Sequence, residues 1–365
     1  MKITRVETIV ITAPMLITSR VLPKQGAVPR TSMDTLLVRV DTDAGVTGWG
    51  EGFGHRIFAA TRVVIDQILA PLCIGRDPAQ IEGLIDEFER NLHGAGRNGP
   101  ALYALSAIDI ALWDIAAKVA GLPLYRLLGG APCMDLPGYA SLLRYGEPAA
   151  VSARVEEVLR RGYRRVKLHE ITEPNIRAGR EAAGPTIPLM VDCNCPWSID
   201  EAIAMAERLQ PLDLTWLEEP IFPPENAAGL ARVRLEGGIP TAAGENAMLS
   251  DFEAMFAHGA LAYCQPSVTK VGGLTRLRQV VAAARRHGVK VAPHSAYFGP
   301  GFLATIHAIA AFAPEASVEY YDCDFALNPL HDALTPDQNG RFAVPQAPGL
   351  GRDPDLAVIA KLRVS

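Results

Sequence analysis

Leu189–Pro220 reads LMVDCNCPWSIDEAIAMAERLQPLDLTWLEEP, and a short way on Ala242–Asn246 reads AAGEN. Asp192, Glu218 and Glu245 each close a short apolar run, at intervals of 26 and 27 residues. A strand, a loop, a helix and a return loop use about that much chain, since a parallel crossover alone needs about a dozen residues or more. The three acids are therefore expected at the ends of three successive parallel strands. In a closed α/β barrel they would meet at the C-terminal mouth, where such barrels carry their chemistry. Three hard oxygen donors around a small cavity suit Mg²⁺, which keeps its other positions for water and substrate. Taken singly, each acid could instead cap the helix that follows it; the regular interval favours the metal.

The chain has 365 residues, with 49% hydrophobic and 21% charged side chains, ordinary values for a globular protein with a large core. Its formal net charge is −5 and it has no long basic run, which argues against nucleic acid as a partner. The opening MKITRVETIVITAPM lacks the charged and apolar regions of a signal peptide, and no apolar run is long enough for a membrane helix. The six cysteines are scattered; Cys193 and Cys195 fit neither a zinc site nor a redox pair, so reduced thiols in a cytoplasmic protein are expected.

Residues 2–14 and 34–51 read as strands with a turn at Asp-Ala-Gly, followed by amphipathic helices near 57–71, 78–92 and 100–120. Strands then helices indicate an α+β domain over 1–125. Between the strands, Leu16–Ser32 is polar, bears Pro and Gly and has no period; a loop of that length is usually a lid or disordered. From Leu136 the pattern alternates. Strand-like runs at 137–142, 163–169, 188–193, 214–219, 240–245, 262–267, 289–294 and 316–321 are separated by helical stretches. Eight strands in this order predict a (β/α) barrel over 126–322, and no GxGxxG follows a strand to support a dinucleotide fold. The tail, 323–365, reads as coil and turn that packs back on the N-terminal domain.

Further candidates fall at neighbouring strand ends. Lys167 and His169 are i and i+2, so both face one side, one unit before Asp192. His294 ends a strand two units after Glu245, Ser267 marks the unit between, and Glu319 ends the last strand. A carboxylate substrate chelated by Mg²⁺ would have its α-carbon between Lys167/His169 and His294. Removing an α-proton there makes an enediolate, which a cation and a protonated Glu319 could stabilise. A lysine beside Mg²⁺ can have its pKa lowered enough to act as base. Structurally satisfied roles for Lys167 and His294 stay open at this point.

These residues resemble the mandelate racemase/muconate-lactonizing group of the enolase superfamily, the racemase branch above all. Residues 104–129, ALSAIDIALWDIAAKVAGLPLYRLLG, match one family signature, and 189–220 match the second, including Asp192, Asn194 and the EEP run. The resemblance extends to the PGLG of the tail. It implies an α+β capping domain over a modified (β/α)7β TIM-type barrel, Mg²⁺ on Asp192, Glu218 and Glu245, and transfer of a proton at the α-carbon. The superfamily uses a Lys or His base with Mg²⁺ stabilising the enediolate. Family members also close the site with a loop like Leu16–Ser32.

Two departures bear on the reaction. The branch usually carries Lys-x-Lys where this chain has Lys167-Leu168-His169, which makes His169 heir to the base position. It pairs its seventh-strand His with an Asp, and here that position is Ser267, so His294 is better suited to be an acid than half of a symmetric racemase. Lys270, in the KxGG run, reads as structural. The asymmetric pair favours dehydration of a hydroxylated acid to a 2-keto-3-deoxy acid. Cycloisomerisation of a lactone or anhydro-sugar acid, racemisation or epimerisation, and a non-catalytic metal-binding barrel are the alternatives. The polar lid (Arg20, Lys24), His55, Arg144, Asn194 and Ser267 are candidate contacts for such a substrate, a small-molecule carboxylate. A homo-oligomer is expected.

Overall fold

The computed structural model describes residues 1–16, 31–330 and 335–364, together with the backbone of 24–25 and 28–29. The chain opens with β1 (Ile3–Leu16), a short pair β2 (Lys24–Gln25) and β3 (Val28–Pro29), then β4 (Ser32–Thr42) and β5 (Thr47–Gly52). β1, β4 and β5 form an antiparallel sheet whose alternating side chains fall inward and outward by turns. Against it lie α1 (Phe58–Val64), which runs through a π-helical turn into α2 (Ala70–Cys73), then α3 (Ile81–Asn91) and α4 (Pro100–Ala120), while α5 (Leu124–Leu127) joins the core of the second half. α4 begins with Pro100 in its first turn and ends at Gly121 in the left-handed conformation, the usual stop for a helix. It is apolar on nearly every side because it is buried on nearly every side.

The alternating half begins at β6 (Asp135–Ser141) and α6 (Pro148–Arg160), then β7 (Val166–Leu168) and α7 (Glu173–Ala183). β8 (Leu189–Asp192), α8 (Ile199–Leu209), β9 (Trp216–Glu218) and α9 (Ala227–Gly237) follow. β10 (Thr241–Ala243), α10 (Leu249–Ala257), β11 (Tyr263–Cys264), α11 (Gly273–Arg286), β12 (Lys290–Val291), α12 (Pro300–Phe312) and β13 (Val318–Tyr321) complete it. The eight strands are parallel, in the order β12-β11-β10-β9-β8-β7-β6-β13, with a helix between each consecutive pair: a (β/α)7β barrel. The Ser295 amide, just past β12, donates to Glu319 Oε2 on β13 at 2.9 Å and ties the two ends of the order together. Local chemistry fixes the boundaries. α8 starts with a capping box in which Glu201 Oε2 accepts from the Ser198 amide at 2.9 Å.

The tail departs from a plain coil that returns to the first domain. β14 (Asp324–Phe325) pairs with β1, but β15 (Arg341–Ala343) adds antiparallel to barrel strand β6, and α13 (Leu356–Leu362) comes back to β1. Its apolar residues Phe342, Val344 and Leu350 belong to the barrel core, where each finds more apolar surface than the small sheet offers. No helix among the described residues is long and apolar enough to cross a membrane.

The two halves are joined by polar side chains of the first half that satisfy free helix N-termini of the second. Ser106 Oγ accepts from the amides of Gly272 and Gly273 at 2.9 and 3.1 Å, and Asp109 accepts from the amide and hydroxyl of Thr275. α11 therefore has its first turn capped by α4. Gly273, at φ +78°, is glycine for a second reason: a Cβ there would sit 2.1 Å from Asp109 Oδ1. Asp114 accepts from the amides of Trp49 and Leu350 at 2.9 and 2.8 Å and from Lys118 Nζ at 2.8 Å, joining sheet, helix and tail. Glu51, on β5, accepts from the Gly301 amide at 2.8 Å at the start of α12.

Glu51 is enclosed, and burial pushes its carboxyl up to about 7 against the backbone amides that favour its charge. A carboxyl with a folded pKa above its unfolded value binds more protons when folded. Its contribution is complete below the unfolded pKa and is lost as pH rises through about 7. In denaturant titrations, the stability of the wild type relative to Glu51→Gln should fall by about 2.5 kcal/mol between about pH 5 and about pH 8. A difference independent of pH would show that Glu51 keeps an ordinary pKa.

Candidate active site

Side-chain alternation aims the central residues of the barrel. In β9, Trp216 and Glu218 share the inward face, as do Met190 and Asp192 in β8, and Asp192 stands beside Glu218 in register. Tyr139, Met190, Trp216 and Ala242 form an apolar layer inside the barrel, and the charged groups stand one layer higher, at the mouth. Trp216 Nε1 donates to Glu218 Oε2 at 2.9 Å, so the layer below also aims the carboxylate above it.

Lys167 is wholly buried. Its Nζ lies 2.7 Å from Glu319 Oε1, 2.8 Å from Glu218 Oε1 and 3.6 Å from Asp192 Oδ2. Burial alone would push this lysine down, but the carboxylates of Glu218 and Glu319 outweigh it and hold the ammonium well above the usual range. The near neighbours are anions, so without a cation the structure favours the ammonium, whereas the lowered pKa was expected beside Mg²⁺. Glu319 differs from expectation in the same way. Burial would raise it, yet Lys167 and His294 hold it well below the carboxylate range, which favours the carboxylate over a protonated donor.

His169, like Lys167, faces Asp192, as the i, i+2 spacing requires, with Nε2 3.1 Å from Oδ2. Its Nδ1 is 2.5 Å from the Leu142 carbonyl. A carbonyl only accepts, so Nδ1 carries the proton and Nε2 faces the mouth. Asp192 Oδ1 accepts from the amide and Nδ2 of Asn194 at 2.9 and 2.8 Å. Burial would raise Asp192, but His169 and Lys167 hold it below its ordinary value. Glu218, hemmed in by burial and by Asp192, is pushed well above the carboxylate range.

Glu245 lies two residues past the end of β10, and its side chain, 18% exposed, is the most open of the three acids. Its Oε1 accepts from Lys270 Nζ and Asn246 Nδ2, both at 2.9 Å. Lys270, which the sequence reads as structural, is brought by the turn after β11 onto Glu245, with its ammonium 4.2 Å above the Phe53 ring. Tyr103 Oη donates to Asn246 Oδ1 at 3.3 Å and Asn98 Nδ2 to the Asn246 carbonyl at 3.2 Å. The capping domain thus reaches the site through residues that hold Glu245.

His294 is 7% exposed, with Nδ1 3.3 Å from Glu319 Oε2 and 3.4 Å from Glu245 Oε2. It makes a well-aligned hydrogen bond with neither. The Ser267 hydroxyl pairs with the hydroxyl of Tyr297 and leaves His294 without the partner that a carboxylate at 267 would supply. Tyr297 stands edge-on to the His294 ring.

Among the proposed substrate contacts, Arg144 is built into the wall of the barrel. Its Nε donates to the His169 carbonyl at 2.5 Å, and its other contacts are the Cys193 carbonyl and Asn194 Oδ1. His55 is half-buried in the turn after β5. Arg20 lies outside the described residues, and of Lys24 only the backbone is described, so these lid contacts have no structural account.

Trp216, Tyr297, Asn246 and Tyr103 were not anticipated. Trp216 was within reach, since it lies two residues before Glu218 on one strand; the others come from loops or the second domain, where no periodicity points at the site. The donor set fits a divalent cation. Asp192 and Glu218 crowd one another in a buried place, and Glu218, Glu245 and His294 each offer a ligand atom within 4.8 Å of the others.

Comparison with known proteins agrees with this architecture. Residues 8–129 match the mandelate racemase/muconate lactonizing enzyme N-terminal domain, and 150–358 the enolase C-terminal domain-like family. The chain is 32% identical to the 3,6-anhydro-alpha-L-galactonate cycloisomerase of Streptomyces coelicolor, over 91% of this chain and 92% of that protein. It is 30% identical to the L-talarate/galactarate dehydratase of Salmonella typhimurium, over 88% and 81%. A racemase from Streptomyces coelicolor, crystallised with magnesium, superposes with a TM-score of 0.84 at 31% identity, covering 99% of this chain and 100% of that one. Its relatives are thus acid-sugar dehydratases and cycloisomerases. With both of its domains matched in order along one chain, this protein belongs to the mandelate racemase/muconate lactonizing enzyme group of the enolase superfamily.

Proposed function

We propose that this protein removes the α-proton of a hydroxylated carboxylic acid and dehydrates an acid sugar to a 2-keto-3-deoxy acid. The observation that carries this reading is the inequality of the two histidines. His169 has Nδ1 on the Leu142 carbonyl and Nε2 3.1 Å from Asp192 Oδ2, whereas His294 Nδ1 sits between Glu319 and Glu245 at 3.3 and 3.4 Å without a well-aligned hydrogen bond, and Ser267 is paired with Tyr297. A racemase needs matched bases on both faces; an elimination needs one base and one acid.

Mg²⁺ held by Asp192, Glu218 and Glu245 would supply positive charge for the substrate carboxylate. Around it the residues of this chain divide the work. His169 takes the α-proton on Nε2, and the C–H electron pair passes into the enediolate. Lys167, as the ammonium, faces the developing negative charge. As the enediolate collapses, the β-hydroxyl leaves with its bonding pair and takes a proton from His294, departing as water. The enol that remains becomes the 2-keto acid. Glu319, fixed by Lys167 and the Ser295 amide, positions the lysine. The likeness to a cycloisomerase favours one second reading, in which the same base acts and a ring oxygen departs or attacks in place of the hydroxyl.

Incubation with Mg²⁺ in D₂O against sugar acids, diacids and their lactones, followed by proton NMR, separates these reactions. Dehydration removes the α-proton signal and yields a 2-keto-3-deoxy acid. In cycloisomerisation no water is lost, so product and substrate differ in composition only by exchanged deuterium. Where a ring oxygen departs, the α-carbon becomes the carbonyl and deuterium enters at the next carbon; where an oxygen attacks, deuterium enters at the α-carbon. Deuterium incorporation with inversion alone would refute the asymmetric assignment.

His294→Asn should lower dehydration by about 100-fold or more while α-proton exchange persists, and His169→Asn should lower both. Glu218→Gln should abolish activity with an unchanged circular dichroism spectrum; a fully active variant would remove the metal assignment. Trp216→Phe, which frees Glu218 Oε2, should weaken divalent-cation binding by about tenfold in calorimetry.

A further inference from the structure

Two sets of donors converge on the cation site, and they share Glu218 and Glu245. The first is completed by Asp192 and is all oxygen. The second is completed by His294, and its three ligand atoms lie within 4.8 Å of one another. We propose that Glu218, Glu245 and His294 form a second coordination mode that takes a nitrogen-accepting ion of the zinc or cobalt class, and that an ion held there withdraws His294 from the reaction. This rests on the reading that Glu218 and Glu245 are cation ligands.

Three features of His294 support the assignment. It is nine-tenths buried, and its Nδ1 lacks a well-aligned hydrogen bond. That atom stands between the Glu319 and Glu245 carboxylates at 3.3 and 3.4 Å without hydrogen-bonding either, and a buried polar atom so placed leaves room for a missing water or ion. Second, the residue that could have engaged it does not, because Ser267 is committed to Tyr297. Third, the spacing suits an ion. Two donors bonded at about 2.1 Å to one tetrahedral zinc stand about 3.4 Å apart, and Nδ1 lies 3.4 Å from Glu245 Oε2.

Asp192 is engaged quite differently, with His169 and Asn194 on its two oxygens. The ion decides which set is used. Mg²⁺ prefers oxygen and six-fold geometry, so it gains nothing from an imidazole. Zinc and cobalt accept imidazole readily, and affinity for a mixed nitrogen and oxygen site rises toward the end of the first transition row. A coordinated imidazole has no free lone pair or proton at the bound nitrogen, so zinc should occupy the site and silence it.

The test is zinc binding by the full-length protein, read in two ways. X-ray absorption at the zinc edge should show imidazole scattering in the wild type and in His169→Asn, and none in His294→Asn. Competition against a chromophoric chelator should give zinc affinity about tenfold or more weaker in His294→Asn, with Mg²⁺ affinity within about twofold of wild type. Absence of imidazole scattering from the zinc-loaded wild type, which involves no variant, overturns the proposal, as does scattering that survives in His294→Asn. If Glu218→Gln binds Mg²⁺ and zinc as the wild type does, the reading of the cation site fails with it. If Mg²⁺ binding depends on Glu218 while zinc lacks imidazole, the second mode alone is wrong.

Discussion

A full positive charge at zero exposure governs the mouth of this barrel. Lys167 stands among Glu218, Glu319 and Asp192, and each needs the others. Taking a lone ammonium or carboxylate out of water costs several kcal/mol, and removing one member of a buried ion group leaves its partners uncompensated, at about 3–5 kcal/mol. The cluster nevertheless carries more anions than cations. Burial, with Asp192 alongside, pushes Glu218 up, and the surplus of carboxylates suits a divalent ion. The site is thus arranged by electrostatics before any substrate arrives, and the apolar layer of Tyr139, Met190 and Trp216 beneath it keeps water from relaxing the arrangement.

Domain docking serves the same end. Two barrel helices, α11 and α12, would have bare N-termini against the capping domain; Ser106, Asp109 and Glu51 satisfy them from across the interface. Helix ends buried without partners are costly. Once the interface is closed in this way, Phe53, Tyr103 and Asn98 are delivered next to Lys270 and Asn246, and Glu245, a candidate cation ligand, is held from both halves of the chain. The long helical signature around α4 is in this light a record of polar contacts with the barrel, as well as of helix packing.

The chemistry follows from unequal neighbours. His169 is fixed by a backbone carbonyl and a carboxylate, Asp192 by an asparagine and a histidine, and Arg144 ties the loops that carry them. On the other side, one substitution, serine at 267, leaves His294 with Nδ1 between two carboxylates and bound to neither. Two histidines in one mouth thus have different neighbours, the asymmetry on which the proposed elimination rests.

By itself the sequence determined the barrel, its order and the end of β8 at Asp192, because crossover length and side-chain alternation are local properties that repeat along the chain. Lys167 and Glu319, expected near strand ends, lie within β7 and β13, and His294 lies three residues past β12. The sequence also placed α8 to the residue, since the capping box and the apolar period are written within one turn of each end. Only the tertiary structure decided which carboxylates lie nearest to Lys167 and Glu319, and so the direction in which each is held without a cation, the lysine up and the glutamate down. The same holds for Lys270, remote along the chain but folded back onto Glu245, and for the tail, whose β15 joins the barrel because its apolar side chains find a larger core there. Spacing along a chain fixes direction and order, whereas electrostatics and burial depend on neighbours that only folding assembles.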